Sequence, residues 1–369
     1  MHTTFNRSSL VNALSKINKV IKGNEINPMF NGVLVETLED GNAQLSMSDG
    51  DNFCRATISC MTKTQGSVVV NSKLFFNLCK AIESDDIIFE ISEKTNSVSV
   101  KGGKGKYKLS IIGSKDAFIG EPKFDGNKTI NILPKEFSES ISKVIFAVSN
   151  QAHQYSITGV LFDFDDDKLH LVGTDSHRMG ITTIKLNDNL GKYSMVVPSK
   201  LLSNIPTLLE DTEVSTIITS DSFVKFVLGN IEIYAKLFEN KFPEYKRVIP
   251  HTSHSFQVPK IEFIKSIERA MLFLSQVVRS IHIVGNKNTF EVSCSNGQTG
   301  ESNDSISIKD GIEIPIDAHI TSDLLVEILK HIDGDSVTIK YNENEAKSII
   351  IEDPKNASYM YLMTLILRR

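Results

Sequence analysis

The chain has 369 residues and a mass of 41.0 kDa, enough for two or three domains that each bury a hydrophobic core. Hydrophobic residues make up 40% and charged residues 23%, a balance that excludes a disordered or collagen-like chain. The 40 lysines and arginines are outnumbered by 45 acidic residues, giving a net charge of -5. The surface as a whole is therefore not that of a protein that binds DNA tightly through its charge.

The cysteines and the N-terminus point to a protein without metal, cofactor or membrane anchor. Cys54, Cys60, Cys79 and Cys294 form no Cys-x-x-Cys pair and have no histidine nearby at metal-binding spacing. Residues 1–22 lack the apolar core of a signal peptide, and no stretch approaches ~18 consecutive apolar residues. We expect reduced cysteines in a soluble, cytoplasmic protein with no membrane partner.

An apolar spacing typical of helices occurs three times along the chain. It begins at Leu10, Phe137 and Phe263, so successive copies start 127 and 126 residues apart. The second and third copies enter through Pro134 and Pro259, and proline is well tolerated in the first turn of a helix. The pattern predicts three helices at equivalent positions of three repeats.

Each of these helices is followed by segments typical of strands. The predicted strand pairs are 32–35 with 44–47, 159–162 with 168–172, and 281–284 with 289–294. A second helix follows each pair, with Ser72, Ser199 and Ser322 as predicted N-caps, and further strands complete the unit.

The fold class predicted from this order is α+β with three related domains. Their predicted ranges are 1–127, 128–252 and 253–369. Any α+β protein shows some regular spacing, but four markers that agree within six residues make coincidence a poor explanation.

One segment suggests catalysis, since Asp175 could orient His177 as a general base. No nucleophile accompanies the pair, so a hydrolase is the weakest of three functional hypotheses. Two other runs resemble ion or phosphate sites only in composition. The acidic run 163–167 lacks the later glycine and glutamate of a calcium loop, and the glycine-rich run 102–106 lacks the Ser/Thr of a phosphate-binding loop. Both are predicted to be hairpin turns.

Several segments together resemble the bacterial DNA polymerase III beta subunit family, the replicative sliding clamps. Residues 159–162 and 174–179 look like its strand and T-D-G-H-R element, and residues 236–250 look like its F-P-D-Y-x-R-V-x-P element. Residues 359–363 look like its C-terminal segment. The resemblance extends along the whole chain in length and three-domain organisation.

The resemblance implies a head-to-tail homodimer closed into a ring of six clamp domains, with helices lining the hole and sheets outside. Packed helices are ~10 Å across, so six give a circumference of ~60 Å, too small for duplex DNA, whereas twelve give ~120 Å. Such a ring holds double-stranded DNA topologically, without reading its sequence. It tethers the replicative DNA polymerase and has a clamp loader and other proteins that carry a clamp-binding motif as further partners.

The resemblance also implies three sets of site residues. A pocket for partner peptides, with aliphatic walls and two arginines at its rim, consists of Ile157, Thr174, His177, Arg178, Met179, Pro243, Arg247, Val248, Ser348, Met360 and Leu362. DNA contacts carried over from the family are Gln151 and Tyr155, and helical spacing adds Lys16, Lys19, Lys22, Lys143, Lys265 and Arg269. The dimer contact joins Lys104, Lys106 and Tyr107 of one subunit to Phe273 and Leu274 of the other.

The leading hypothesis is therefore a non-enzymatic processivity clamp. The alternative is a clamp-derived repeat scaffold that binds partner peptides without encircling DNA.

Overall fold

The computed structural model describes residues 1–23, 27–92, 96–151, 156–210, 212–275, 279–296, 300–342 and 347–366. The chain divides into two compact units. One consists of Met1–Ser138 with Lys200–Leu237, and the other of Glu139–Ser199 with Phe238–Arg369. The three domain ranges inferred from the repeats stay a prediction.

Seven helices and 22 strands are assigned in the described residues. The helices are α1 (Arg7–Val20), α2 (Ser72–Ala81), α3 (Pro134–Ile145), α4 (Ser199–Leu202), α5 (Ile205–Leu209), α6 (Lys260–Met271) and α7 (Ser322–Lys330). The strands are β1 (His2–Asn6), β2 (Gly32–Thr37), β3 (Asn42–Ser48), β4 (Phe53–Thr64), β5 (Ser67–Asn71), β6 (Asp86–Ser92), β7 (Ser97–Gly102), β8 (Gly105–Gly113), β9 (Lys128–Ile132), β10 (Gly159–Asp165), β11 (Lys168–Thr174), β12 (Arg178–Lys185), β13 (Lys192–Pro198), β14 (Ser215–Thr219), β15 (Phe223–Leu228), β16 (Ile231–Lys236), β17 (His254–Pro259), β18 (Ser280–Asn296), β19 (Gly300–Thr321), β20 (Ser336–Tyr341), β21 (Ser348–Asp353) and β22 (Asn356–Thr364).

The first unit contains a twelve-stranded antiparallel sheet. Its order is β1-β6-β7-β8-β5-β2-β3-β4-β16-β15-β14-β9, and β1 also pairs with β4, so the first eight strands form a closed set. Helices α1 and α2 pack on each other, and α1 packs on β3 and β4. The β4–β16 pairing, which sets Cys54 opposite Ile233, joins strands of the first and second predicted repeats in one sheet.

The second unit contains an eight-stranded sheet and a two-stranded ribbon. The sheet order is β13-β10-β11-β12-β22-β21-β20-β17, and the ribbon is β18 with β19. The sheet again crosses repeats, because β12 pairs with β22.

The predicted helical spacing is confirmed. Leu10, Phe137 and Phe263 lie in α1, α3 and α6 and are fully buried, as one apolar face of an amphipathic helix should be. Each of the three helices therefore packs through the face that the spacing indicates.

The N-cap predictions were wrong by one residue for two helices. Asn71 and Thr321 are the N-caps of α2 and α7, and the serines that follow them are the first helical residues. The buried Ser72 hydroxyl donates to Asn18 Oδ1 at 2.9 Å, and the Ser322 hydroxyl donates to the Arg279 carbonyl at 3.0 Å. These serines tie their helices to neighbouring segments; the Asn71 side chain caps α2 by accepting the Leu74 N–H, whereas Thr321 makes no side-chain cap bond to α7.

Two larger predictions also differ from the structure. The second helix of the central repeat is two short helices, α4 and α5, because Pro206 has no N–H and its ring excludes a continuous helix through this point. The predicted third strand pair, 281–284 with 289–294, is wrong, since both segments lie in β18 and pair with β19. Gly285–Lys287 and Lys287–Thr289 carry register shifts, which explains why the sequence there looks like a turn.

The end of α3 rests on a pair of glycines in the sheet. Gly173 of β11 and Gly180 of β12 are register partners. A Cβ on Gly173 would lie 2.3 Å from the Val144 carbonyl oxygen, and one on Gly180 would lie 2.9 Å from the Lys143 carbonyl oxygen. Only glycine allows the helix backbone to come this close.

We expect Gly173→Ala to lower the free energy of unfolding by about 1–3 kcal/mol, because the helix must move to admit the methyl group. Urea unfolding followed by circular dichroism measures this. The matched control is Gly120→Ala, where an added Cβ has no atom within 4 Å. Equal stability of the two variants would contradict the close approach of α3.

Candidate functional site

An apolar patch lies on one face of the eight-stranded sheet where β12 meets β22. Their register sets Met179 opposite Leu362 and Ile181 opposite Met360, and residues two apart on a strand face the same side. The cluster around them has further buried members and partly buried ones: Leu161, Val172, Val196 and Tyr245, then Phe238, Phe242 and Ile249. Three predicted pocket residues, Met179, Met360 and Leu362, thus lie together.

The segment after β16 is fixed over this patch by polar contacts at both ends. The Phe238 N–H donates to the Val196 carbonyl at 3.0 Å. The Tyr245 hydroxyl donates to Asp163 Oδ2 at 2.7 Å, and Lys246 Nζ lies 3.0 Å from the same oxygen. Burial, and then the bond to Asp163, raise the pKa of Tyr245, so this hydroxyl stays a donor. These contacts fix the segment beside the patch, and we call its residues 243–248 the wall.

Three predicted pocket residues are exposed on this wall. Pro243, Arg247 and Val248 all face solvent, with Val248 58% exposed. Arg247 forms an ion pair with Glu244, which is also exposed. An exposed valine beside a cluster with partly buried aromatic and thioether side chains is a plausible surface for an apolar peptide side chain.

Four more predicted pocket residues lie at the adjoining strand ends: Ile157, Thr174, His177 and Ser348. The Ser149 N–H donates to the carbonyls of Ile157 and Thr174, at 3.0 and 3.1 Å. The His177 carbonyl accepts from the Thr364 N–H at 2.9 Å, and Ser348 is the register partner of Thr364. These bonds hold Ile157 beside Thr174, and His177 beside Ser348, at one end of the sheet. The His177 side chain is exposed and that of Ile157 is buried.

Arg178 does not lie at the rim, where it was predicted. It is 6% exposed, and strand alternation turns its side chain to the face opposite Met179. Asp175 and Glu327 bind its guanidinium there. The sequence motif located the residue but could not reveal which face of the sheet it occupies.

The first-repeat helices carry positive charge without compensating acids. Lys19 and Lys22 are exposed and Lys16 is half-buried. Helix α2 adds exposed Lys73 and Lys80, which the sequence reasoning missed although Ser72–Ala81 contains no Asp or Glu.

Other predicted DNA-contacting residues have partners within the protein. Lys143 Nζ donates to the His331 carbonyl at 2.5 Å and to Asp333 Oδ1 at 2.7 Å, which argues against its predicted phosphate contact. Arg269 Nε pairs with Asp304 at 2.9 Å, and this bond raises the pKa of Arg269. Of the others, Gln151 and Lys265 are exposed, and Tyr155 lies outside the described residues.

The predicted dimer residues occupy a hairpin and a helix end. Lys104 lies in the turn of the β7–β8 hairpin, and Lys106 and Tyr107, which is 43% exposed, follow it on β8 opposite Lys101 and Val100. Phe273 and Leu274 follow α6 and are half-buried against the core. Leu272, which was not predicted, is 80% exposed. The apolar spacing that buries Phe263 could have indicated its outward direction.

The suggested catalytic and ion sites have structural roles. Asp175 Oδ1 accepts the N–H groups of His177 and Arg178, each at 2.9 Å, and so closes a turn. The acidic run ends in a hairpin turn at Asp166, which has a φ of 59°. Among the described residues, no group of three or more metal-binding side chains could hold an ion, and no helix is long and apolar enough to cross a membrane.

In comparisons with known proteins, two family models and a full-length relative all indicate the same family. Residues 1–117 match the family model of the DNA polymerase III beta subunit, N-terminal domain, and residues 131–244 match that of its central domain. A beta sliding clamp of Vibrio cholerae is 23% identical over 369 residues, covering 98% of this chain and 99% of the relative.

Solved structures match along the whole chain. The DNA polymerase III subunit beta from Pseudomonas aeruginosa superposes with a TM-score of 0.94 at 18% identity, and each chain is covered completely. A sliding clamp from Bartonella birtlesii, solved with bound griselimycin, has a TM-score of 0.92 at 20% identity and the same coverage. The predicted α+β clamp fold is thereby confirmed.

Tyr245→Phe removes one hydroxyl from the wall and leaves its aromatic ring. We expect it to lower the free energy of unfolding by about 1–3 kcal/mol, because the Asp163 carboxylate loses a partly buried charge-assisted hydrogen bond. Thermal unfolding measures the change, with Tyr107→Phe as a matched removal of one hydroxyl from an exposed tyrosine. Equal destabilisation of the two variants would mean that the Asp163 bond does not anchor the wall.

Proposed function

The chain belongs to the DNA polymerase III beta subunit family, and we propose that it works as a DNA sliding clamp, a non-catalytic processivity factor for a DNA polymerase. The observation that carries this proposal is the extent of the similarity, which covers 98–100% of this chain and 99–100% of the relatives. A scaffold that had lost part of the clamp is not favoured by a match of this extent, and a hydrolase has no support in it.

The working form in this proposal is a homodimeric ring. Two copies supply twelve helix positions when the split pair α4 and α5 is counted as one, and this is the number that the circumference argument requires around duplex DNA. Tyr107 of one copy would meet Phe273 and Leu274 of the other, an aromatic anchor in an apolar pocket. Leu272 joins this set because a leucine 80% exposed gains most from being covered.

The ring holds DNA through topology and only weakly through charge. A net charge of -5 is poorly suited to tight phosphate binding, and tight binding would hinder sliding. Lys19 and Lys22, with Lys73 and Lys80, supply a mild local attraction for the backbone. They form the strongest candidate DNA-facing surface, since Lys19 lies on α1, Lys22 follows its end, Lys73 and Lys80 lie on α2, and neither helix contains an acidic residue.

The apolar patch between β12, β22 and the wall at residues 243–248 receives partner peptides. Those partners are the replicative polymerase, a clamp loader and other proteins with a clamp-binding motif, all in the cytoplasm. Because a similar clamp was solved with griselimycin, we expect griselimycin to bind this chain as well, and we propose this patch as its site.

Negative-stain electron microscopy of the purified protein tests the ring. A dimer of 82.0 kDa, twice the chain mass, should give ring-shaped particles with an open centre. Compact or elongated particles without a hole, at low and high protein concentration alike, would remove topological tethering from the proposal.

Phe273→Ala combined with Leu274→Ala should raise the dimer dissociation constant at least about 30-fold, because a hot-spot truncation costs about 2 kcal/mol or more. Sedimentation velocity over a concentration series measures this. Leu74→Ala is the control, since Leu74 is an exposed leucine on α2. Unchanged sedimentation of the double variant would rule out this dimer contact.

Lys19→Gln with Lys22→Gln should weaken binding to a labelled 30-base-pair duplex. We expect the slope of log affinity against log salt to fall by about 1 for each substituted lysine that binds a phosphate. Fluorescence anisotropy between low and moderate salt measures it. Lys168→Gln with Lys185→Gln removes the same charge from two exposed lysines at one end of β11 and β12. If both pairs change the slope equally, Lys19 and Lys22 have no special role in DNA binding.

A further inference from the structure

The peptide patch depends on the register of two strands that are far apart in the sequence. In the β12–β22 pairing, Met179 lies opposite Leu362 and Arg178 lies opposite Met363. Because side chains alternate along a strand, a slip of one residue would turn Met179 or Leu362 away from the patch. No turn joins these two strands, so contacts outside the ladder must help to fix their pairing.

Arg178 bonds residues outside both paired strands through its guanidinium group. Nε donates to Asp175 Oδ2 at 3.1 Å, Nη1 to Glu327 Oε2 at 2.7 Å, and Nη2 to the Phe146 carbonyl at 2.8 Å. Its guanidinium also lies 5.0 Å from the centre of the Phe146 ring. All three guanidinium nitrogens therefore have partners on the face of the sheet opposite the patch.

The partners of Arg178 belong to the ends of two helices, which a second set of contacts joins. Phe146 follows α3, and its ring stacks on His331 after α7, with centroids 3.8 Å apart and an angle of 11°. His331 Nδ1 lies 2.8 Å from the Glu327 carbonyl, and Lys143 of α3 bonds the His331 carbonyl. Arg178 thus links β12 to both helix ends at once.

We propose that Arg178 and Glu327 are positioning residues of the peptide patch. From the back of the sheet they hold β12 in register with β22, and so keep Met179 and Leu362 on the face that receives a peptide. Arg178 then needs no contact with the peptide itself. The peptide part of this inference rests on the proposed function, whereas the strand pairing can be measured without any ligand.

Glu327→Gln is the decisive variant, because Glu327 lies on α7, outside both paired strands and on the far side of the sheet from the patch. The change keeps the shape of the side chain and removes the charge that pairs with a buried arginine. Asp323→Asn is its matched control, since Asp323 is a carboxylate on the same helix that pairs with Arg279 at 3.2 Å. Glu327→Asp is a second variant that retains the charge but shortens its reach.

Hydrogen exchange of the amides in 179–182 and 360–363 is the first readout. We expect exchange about 10-fold faster in Glu327→Gln and unchanged in Asp323→Asn, the factor that corresponds to one weakened charge-assisted hydrogen bond. Amides of β14–β16, in the other unit, serve as the internal reference. Unchanged exchange in Glu327→Gln and Glu327→Asp would overturn the proposal.

Calorimetric titration with griselimycin is the second readout. Glu327→Gln and Arg178→Lys should each weaken binding about 10-fold, and the double variant should be little weaker than the worse single one, because the two residues act as one unit. Weaker binding in Arg178→Lys with unchanged binding in Glu327→Gln would make Arg178 a direct contact and overturn the proposal. Failure of the unmodified protein to bind griselimycin would count against the proposed patch, and the exchange measurement would still decide the positioning role.

Discussion

Pairing between strands of different repeats is the constraint on which the rest of the structure depends. A two-helix repeat with a short sheet leaves strand edges unpaired, and such edges invite unwanted pairing with other chains. Here β4 pairs with β16 in one unit and β12 pairs with β22 in the other, so the edges are used within the chain. The proposed peptide patch exists only because the second of these pairings sets Met179 beside Leu362.

Both pairings have an arginine at the junction with acidic partners from more than one segment. In the first unit, Arg55 of β4 lies opposite Glu232 of β16, donates to it through Nε at 3.0 Å, and pairs with Glu121 at 2.9 Å. Burial alone would raise the pKa of Glu232, but hydrogen bonds from Lys225 and Arg55 outweigh it and the pKa is lowered. In the second unit Arg178 of β12 lies opposite Met363 of β22, and its acidic partners Asp175 and Glu327 lie outside both strands. Half-buried charges of this kind add geometric specificity, which suits a junction that must keep one register.

The sequence predicts those features of the fold and the site that depend on residues near each other in the chain. It does not predict those that depend on contacts between distant segments. The spacing that buries Leu10, Phe137 and Phe263 is local, so three helices at equivalent positions were predictable. The split at Pro206 was also local and was missed, although proline inside a helical pattern predicts a break. The inward direction of Arg178 was not predictable, because it depends on which face of β12 the distant strand β22 and helix α7 cover. The same holds for Lys143, whose partners at His331 and Asp333 lie almost 200 residues further along the chain.

The basic residues divide into those with partners inside the protein and those that remain candidates for the proposed DNA contact. Lys143 and Arg178 have their charges satisfied inside one unit, and Arg269 pairs with Asp304 on its surface. Exposed lysines without an acidic residue in the same helix remain on α1 and α2 of the first repeat. The proposed ring of two copies would carry this set of lysines twice. Because phosphate charge along a duplex repeats every few ångströms, a few exposed lysines can exchange one phosphate for the next at little cost, whereas a uniformly basic lining would bind many at once and slow the movement of the ring.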